Sequence, residues 1–297
     1  MREINRILCP VDLSDVSRHA IEHAAVLARW YQARITALHV RNPVVIPSAD
    51  FTAVGPVRFP LTEDEIEEAR AQVVACLEPA RGLDTDVIVE HGQPVDRILE
   101  RAAALPADLI VIGTHGAGGF QHLVLGSITE KVLRKATCPV LTVPPHARAT
   151  SKLPFKRILC PVDFSDSSLA SLDFAFSLAQ ESDAELTVFH AFEWLLEGEP
   201  LTNRPINVPE YRLELETDLT SRLHALVPDS VRMWCRPVTR VTHGKAYREI
   251  LGIATEDSSD LIVMGVHGRN ALDLMLFGST TNQVVRRATC PVLTLRK

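Results

Sequence analysis

The sequence predicts an α/β protein built from two tandem domains, each a parallel sheet with helices on both faces. Three observations favour this fold: strand-like and helix-like segments alternate, the whole pattern occurs twice, and both copies carry the same glycine-rich stretch. Alternation favours parallel strands, because a parallel connection needs a crossover that is usually a helix. With 297 residues, 46% of them apolar, the chain can bury two hydrophobic cores.

The internal repeat sets the domain boundaries. Two segments of each copy are nearly the same, with nine of ten and seven of seven residues identical: residues 6–15 and 157–166, and residues 136–142 and 288–294. The segment between the copies is rich in proline and small polar residues, as linkers are. We therefore predict a first domain over residues 1–144, a linker over 145–154 and a second domain over 155–297.

Each copy is predicted to contain five strands and four helices in alternation. In the first copy, the apolar run 4–11 forms the first strand, and Ser14 can cap the helix that follows. A capping box, Thr62 with Glu65, begins the second helix after a proline-rich loop over residues 42–60. The remaining predicted elements are strands 34–40, 84–90, 108–112 and 139–143, a helix over 95–104 and a helix ending at 135. The second copy follows the same order, with a loop over 203–209 and a second helix over 211–226.

Composition argues against several classes of protein. The net charge of −6, with no basic block, argues against a nucleic-acid-binding surface. No apolar run is long enough to span a membrane, and the charged N-terminal sequence MREINRILCPVD is unlike a signal peptide. The six cysteines lie in mostly apolar surroundings without Cys-x2-Cys spacing, which favours buried thiols over disulfides or zinc ligands. We therefore expect a cytoplasmic protein.

A glycine-rich stretch after the fourth strand predicts a phosphate-binding site. In the first copy the spacing is Gly-x2-Gly-x9-Gly-Ser, formed by Gly113, Gly116, Gly126 and Ser127. Glycine lets the backbone approach a ligand, and the free N–H groups at a helix N-terminus attract anions. The second copy repeats the spacing 152 residues later: Gly265, Gly268, Gly278 and Ser279.

An aspartate ends the first strand of each copy, at Asp12 and Asp163. Ligands of open parallel sheets bind beyond the carboxyl ends of the strands, where the strand order reverses. If the first and fourth strands are neighbours, this aspartate and the glycine stretch share one crevice, and the carboxylate can bind a ribose hydroxyl or a metal-bound water. Under the alternative interpretation, each aspartate only caps its helix, and Ser127 and Ser279 are plain N-caps.

At these residues the chain resembles a tandem member of the universal stress protein family. The resemblance covers nearly all of both copies and rests on the glycine signature, on Pro-Val-Asp in the first strand and on Cys-Pro-Val-Leu near the end, each present twice. It implies a Rossmann-like, adenine nucleotide alpha hydrolase-like sheet of five parallel strands in the order 3-2-1-4-5. In the subgroup with the glycine signature it also implies bound ATP, ADP or AMP, with Mg²⁺ held through the phosphates and no protein side chain assigned to the metal.

The resemblance assigns roles to matching residues in both copies. In the first copy the nucleoside would contact Pro10, Val11 and Asp12, and the adenine would contact the backbone of Val40. The phosphates would contact Gly113, Gly116, Gly126, Ser127 and Thr129. The matching residues of the second copy are Pro161, Val162 and Asp163; Ala191; and Gly265, Gly268, Gly278, Ser279 and Thr281. Further candidates within the same stretches are His115, Ile128, His267, Arg269 and Thr280. The two histidines either contact phosphate or are solvated loop residues, and Arg269 is either a phosphate clamp or a surface arginine.

The absent motifs favour binding over turnover. The chain has no P-loop lysine, no Gly-x-Ser-x-Gly elbow and no zinc spacing, and the only candidate general bases are Asp12 and Asp163. Our leading hypothesis is an ATP-binding sensor or regulator in the stress response. The alternatives are a slow metal-dependent ATPase or nucleotidyl-transfer enzyme using the same pocket, and a scaffold that binds another ligand through the loops 42–60 and 193–209.

The duplication also predicts how the strands at the sheet edges are used. In single-domain relatives the fifth strand commonly forms the dimer contact. We expect the fifth strands of the two copies, residues 140–143 and 292–295, to pair within one chain as an intramolecular pseudo-dimer, with further homodimerisation as a second possibility.

Overall fold

The computed structural model describes residues 4–42, 45–46, 57–58, 62–115, 125–147, 155–193, 208–235, 237–266 and 277–296. Four of the predicted site residues lie outside this part of the chain: Gly116, His267, Gly268 and Arg269. The chain folds into two compact units, Glu3–Lys152 and Leu153–Lys297, each with its own core.

The first unit contains a five-stranded parallel sheet. Its elements in chain order are β1 (Arg6–Pro10), α1 (Asp15–Tyr31), β2 (Arg34–Arg41), β3 (Val45–Ile46), β4 (Val57–Arg58), α2 (Glu63–Cys76), a 3₁₀ turn (Glu78–Ala80), β5 (Thr85–His91), α3 (Pro94–Ala104), β6 (Leu109–Gly113), α4 (Ser127–Lys135) and β7 (Val140–Val143). The strands lie side by side as β5-β2-β1-β6-β7. Counted along the five main strands this is the order 3-2-1-4-5, so the predicted order is confirmed.

The second unit repeats this topology. Its elements are β8 (Arg157–Pro161), α5 (Asp166–Ser182), β9 (Glu185–Phe192), α6 (Val208–Ala225), α7 (Asp229–Cys235), β10 (Val238–His243), α8 (Ala246–Glu256), β11 (Leu261–Gly265), α9 (Ser279–Arg287) and β12 (Val292–Leu295). The strands lie parallel in the order β10-β9-β8-β11-β12. In both units the first and fourth strands are neighbours, which is the condition that the shared crevice requires.

Burial explains why these segments form a sheet covered on both faces. All five residues of β6 are buried, as are those of β1 after Arg6, and such continuous apolar runs are typical of parallel strands between helix layers. Right-handed crossovers place α1 and α2 on one face and α3 and α4 on the other. The helix contacts agree, because α1 packs against α2 and α3 packs against α4.

Several predicted boundaries are wrong, and short elements account for them. The proline-rich loop 42–60 contains the antiparallel pair β3 and β4, whose two-residue strands are too short to show a period. In the second unit α6 begins at Val208, inside the segment predicted as loop, and α7 was not predicted. The capping box of α2 is confirmed, since the Thr62 amide donates to Glu65 Oε2 at 2.9 Å and the Glu65 amide donates to Thr62 Oγ1 at 3.3 Å.

Candidate functional site

The turn after β1 is built around the carboxylate of Asp12. Its Oδ1 accepts hydrogen bonds from the Ser14 amide, at 3.1 Å, and from the hydroxyls of Ser14 and Ser17. Ser14 is the N-cap of α1 and accepts a bond from the Ser17 amide at 3.3 Å. Leu13, which lies between Asp12 and Ser14, has a φ of 67°, a left-handed conformation that is costly for leucine. Asp12 is exposed and supports the helix cap rather than being the cap itself.

The second domain builds the same turn with one change. Asp163 Oδ1 accepts from the Ser165 amide at 3.0 Å and from the Ser165 hydroxyl, and Phe164 has a φ of 62°. Ser168, the counterpart of Ser17, instead directs its hydroxyl to the Ser165 carbonyl at 2.9 Å. Both turns therefore hold their aspartate at the carboxyl end of the first strand, where the sequence predicted it.

A buried histidine in the second strand ties the first two strand ends together. The Nδ1 atom of His39 lies 2.7 Å from the carbonyl oxygen of Val11, and that of His190 lies 2.6 Å from the carbonyl oxygen of Val162. A carbonyl can only accept, so Nδ1 carries the proton in both rings. Sequence reasoning missed this link, although the occurrence of a histidine at the same position of both copies was an available signal.

The residues predicted to border the nucleoside and adenine lie around this tie. Val11 and Val162 are buried and donate their amides to the second strand, so they shape the floor of the crevice with backbone rather than side chain. The candidates for adenine contact are half-buried and directly follow the two histidines: Val40 and Ala191. Pro10 and Pro161 are the last residues of β1 and β8.

The fourth strand and the helix after it are tied by two hydrogen bonds in the first domain. The Gly126 amide donates to the Thr114 carbonyl at 2.8 Å, and the Thr129 hydroxyl donates to the Gly113 carbonyl at 2.8 Å. Gly126 is the N-cap of α4, so Ser127 is the first helical residue and not the cap that the alternative interpretation required. Glycine has no side chain to satisfy the first N–H groups of the helix, whereas Ser14 does so at α1.

The second domain reproduces this arrangement. The Gly278 amide donates to the Val266 carbonyl at 3.0 Å, and the Thr281 hydroxyl donates to the Gly265 carbonyl at 2.9 Å. Gly278 is the N-cap of α9 and again offers no capping side chain. Two exposed candidates, Ser127 and Ser279, therefore stand at helix starts whose N–H groups lack a side-chain cap. Ile128 is exposed beside Ser127, and its counterpart Thr280 is half-buried.

The threonines of the signature face inward. Thr129 and Thr281 are 4% and 3% exposed, and each uses its single hydroxyl proton on the glycine carbonyl of the preceding strand. They hold the helix start against the strand end. Their predicted contact with phosphate stays a prediction, and in this geometry only the hydroxyl oxygen can take part in it.

The first glycine of the signature makes room for a helix. A Cβ on Gly113 would lie 2.6 Å from Val16 Cγ1, and a Cβ on Gly265 would lie 2.7 Å from Ser167 Oγ and 3.0 Å from the Ser167 carbonyl carbon. Val16 and Ser167 belong to the first turns of α1 and α5, directly after the aspartate turns. The glycine therefore brings the aspartate turn against the end of the fourth strand, and the two predicted motifs do share one edge of the sheet.

The second site contains a cation–aromatic stack that the first lacks. The guanidinium carbon of Arg222 lies 4.5 Å from the centroid of the Phe164 ring, and the His190 ring centroid lies 4.8 Å from the same ring. The first domain has Leu13 at the position of Phe164. This difference makes the two sites chemically distinct on the side of the predicted adenine.

Among the described residues near the site we find neither a group of metal-binding side chains nor a reactive thiol. Within the described residues, no group of three histidine, cysteine, aspartate or glutamate side chains could hold a metal ion. His115 is half-buried, and its Nδ1 lies 2.8 Å from Thr114 Oγ1. Burial raises the pKa of the thiols of Cys9 and Cys160, next to the aspartate turns, far above the ordinary value, which makes them inert packing residues.

Comparison with known proteins agrees with this architecture. The sequence model of the Universal stress protein family matches residues 3–144 and 154–296. The chain belongs to the universal stress protein family. It has two of the family's domains in tandem, and in the described part of the chain no helix is long and apolar enough to cross a membrane.

Several family members resemble the chain over its full length. A universal stress protein of Mycolicibacterium smegmatis is 29% identical over 301 residues, which cover 98% of this chain and 96% of the relative. One of Mycobacterium tuberculosis is 27% identical over 312 residues, covering 100% and 98%. The crystal structure of a universal stress protein from Archaeoglobus fulgidus superposes with a TM-score of 0.65 at 22% identity, covering 99% of this chain and 97% of that one, which supports the fold.

Proposed function

We propose that each domain binds one adenine nucleotide, ATP in the resting cell, and that occupancy regulates what this cytoplasmic protein does under stress. The observation that carries the proposal is the pair of glycine-capped helix starts at α4 and α9, each set against an aspartate turn. Uncapped N–H groups at the positive end of a helix stabilise phosphate oxygens. The aspartate at the carboxyl end of the first strand suits the ribose hydroxyls, and Asp12 is exposed while Asp163 is half-buried.

Binding rather than turnover follows from the chemistry of the aspartates. Asp12 and Asp163 are the general-base candidates that the sequence offered, and the Oδ1 atom of each already accepts bonds from the serine that caps the next helix. A base that is tied into a helix cap is poorly placed to abstract a proton from water. A site that exchanges its nucleotide without hydrolysing it stays at equilibrium with the cellular pool, so its occupancy follows the nucleotide concentration.

The proposal is tested by placing an aspartate side chain at the helix starts where the phosphates are proposed to bind. In Ser127→Asp and Ser279→Asp, an acidic side chain occupies the first helical position, where it stabilises the helix but repels phosphate. Isothermal calorimetry with MgATP on nucleotide-stripped protein should give two sites for the wild type, one for each single variant and none for the double variant. Unchanged stoichiometry in the double variant would refute the proposed site.

A matched control separates charge from position. Gln93→Asp places the same charge at the exposed N-cap of α3, which follows the edge strand β5 instead of β6, three strands away from the proposed phosphate position. Both substitutions should leave the unfolding free energy equal to the wild type or higher by about 0.3–1 kcal/mol, whereas only Ser127→Asp should remove a nucleotide. Release of ADP at a steady rate from the wild type, abolished by Asp12→Asn with Asp163→Asn, would instead support the slow ATPase.

We also propose that the two fifth strands pair within the chain. Each of β7 and β12 is the last strand in its unit's order and would otherwise present a row of unpaired backbone groups. Amide hydrogen exchange should then be slow along both strands and fast along the opposite edge strands, β5 and β10, which serve as internal controls. Equal exchange at both edges of each sheet would contradict the pairing.

A further inference from the structure

Three cations surround one tyrosine on the surface of the second domain. Arg248 Nε donates a hydrogen bond to the Tyr247 phenol oxygen at 3.1 Å, and the guanidinium carbon of Arg287 lies 5.3 Å from the centroid of the same ring. Lys245 is the N-cap of the helix that carries Tyr247. The Tyr247 pKa lies below its ordinary value, first because of the Arg248 hydrogen bond and then because of the charges of Arg248, Arg287 and Lys245, which signals a positive local potential. These four residues are called the Tyr247 patch.

Ion pairing also distinguishes the Tyr247 patch. In the part of the chain that the structure describes, Lys245, Arg248 and Arg287 form no ion pair with a carboxylate. All three are exposed. Like charges that converge on one ring repel one another, and a protein of net charge −6 has ample carboxylates with which to neutralise them.

The placement on α8 adds a second unfavourable feature. Lys245 and Arg248 occupy the N-cap and first turn of the helix, at the positive end of its dipole, where acidic residues are the stabilising choice. The first turn of α8 also contains the acidic Glu249, and the first turn of the matching helix α3 contains both Asp96 and Arg97, so the two helices differ chiefly at Lys245 and Tyr247, whose counterparts are Gln93 and Val95. Because the same fold forms with these uncharged residues, folding does not require the patch.

We propose that the Tyr247 patch is a docking surface for an acidic segment of a partner protein. Guanidinium groups bind carboxylates through paired hydrogen bonds, and the two arginines hold theirs 5.8 and 5.3 Å from the centroid of a tyrosine ring that can pack against the segment's aliphatic stems. The exposed cations suit an extended chain rather than an enclosed small molecule. The proposal goes beyond nucleotide binding, and neither depends on the other.

The test uses a labelled peptide of about ten glutamates as the probe, with fluorescence anisotropy on the full chain at about 0.15 M salt and below. The wild type should bind, and its affinity should fall as salt rises. Arg287→Glu should weaken binding at least about tenfold. The matched control is Lys135→Glu, which makes the same change in charge sign at the corresponding last residue of α4 in the first domain and should change affinity by less than about twofold.

A triple variant, called the graft, tests the proposal with the same glutamate peptide and also tests whether folding needs the patch. Lys245→Gln, Tyr247→Val and Arg248→Asp together give the second domain the residues of the first. The graft should abolish peptide binding and leave the melting temperature equal or higher, while nucleotide stoichiometry stays that of the wild type. Equal weakening by Lys135→Glu, no binding by the wild type, or tighter binding of a single-stranded DNA of similar length would each overturn the proposal.

Discussion

At the scale of single residues, two glycines set how closely the first helix of each domain approaches the fourth strand. A methyl group on Gly113 would meet mainly the Cγ1 atom of Val16, at 2.6 Å. A methyl group on Gly265 would meet the main chain of Ser167 as well as its hydroxyl, with the carbonyl carbon at 3.0 Å. A clash with the end of a side chain can be relieved by trimming that side chain, whereas a clash with backbone cannot.

This difference predicts an asymmetric rescue. Gly113→Ala and Gly265→Ala should each lower the unfolding free energy by about 1–3 kcal/mol. Adding Val16→Ala should recover most of the loss in the first domain, while adding Ser167→Ala should recover little in the second. Double-mutant cycles by urea denaturation measure both couplings. Couplings of equal size would show that the two glycines serve the same purpose for the same reason, contrary to the geometry.

The spacing of the glycine signature singled out Ser127 and Thr129 as candidates, but did not show how their roles differ. Ser127 and Thr129 are two positions apart on α4, so their side chains leave the helix roughly 200° apart. One is exposed and the other buried, and only the buried one ties the helix to the strand. Sequence spacing does not specify the phase at which a helix meets a sheet, because packing against the strand decides it.

At the scale of elements, the tie between β6 and α4 holds the helix start where the phosphates are proposed to bind. Thr129→Val keeps the shape of the side chain but removes the hydrogen bond to the buried Gly113 carbonyl. It should cost about 1–3 kcal/mol of unfolding free energy and weaken ATP binding in the first domain. Ser127→Ala, at an exposed position, should change stability by less than about 0.5 kcal/mol. Urea titrations with calorimetry on both variants give the comparison.

A stable Thr129→Val protein with unchanged ATP affinity would show that the threonine tie is dispensable. The same pair of measurements on Thr281→Val and Ser279→Ala repeats the test in the second domain, where the hydroxyl bonds the Gly265 carbonyl at 2.9 Å. Agreement between domains would establish that the tie belongs to the fold rather than to one sequence context.

The long elements could be predicted because their patterns are periodic or continuously apolar. The main strands and helices of both units follow the predicted alternation, and the capping box placed the start of α2 at Glu63. The pair β3 and β4 and the short helix α7 escaped prediction, because two to seven residues hold less than two turns or two alternations. Contact of α7 with α5 stabilises it, and contacts of that kind are invisible in a local pattern.

At the scale of the whole molecule, duplication explains both what repeats and what does not. The strand order, the aspartate turns and the glycine-capped helices occur twice, so they report requirements of the domain itself. The differences, such as Phe164 for Leu13 or Tyr247 for Val95, indicate properties that one domain has and the other lacks. Comparing the copies revealed the second class of residue, but their chemistry could be interpreted only after the fold brought Arg222 and Arg287 to those rings.

If each domain binds its own nucleotide, stabilisation should be separable by domain. ATP at about 100 times its Kd stabilises the domain that binds it by about 2.7 kcal/mol, because only the folded state binds. In Ser127→Asp, added MgATP should slow amide exchange in β8 and β11 of the second domain but leave β1 and β6 of the first unchanged. Ser279→Asp should give the opposite pattern. Protection of both domains in either variant would show that one nucleotide serves the whole chain, and the two sites would then have to be treated as one.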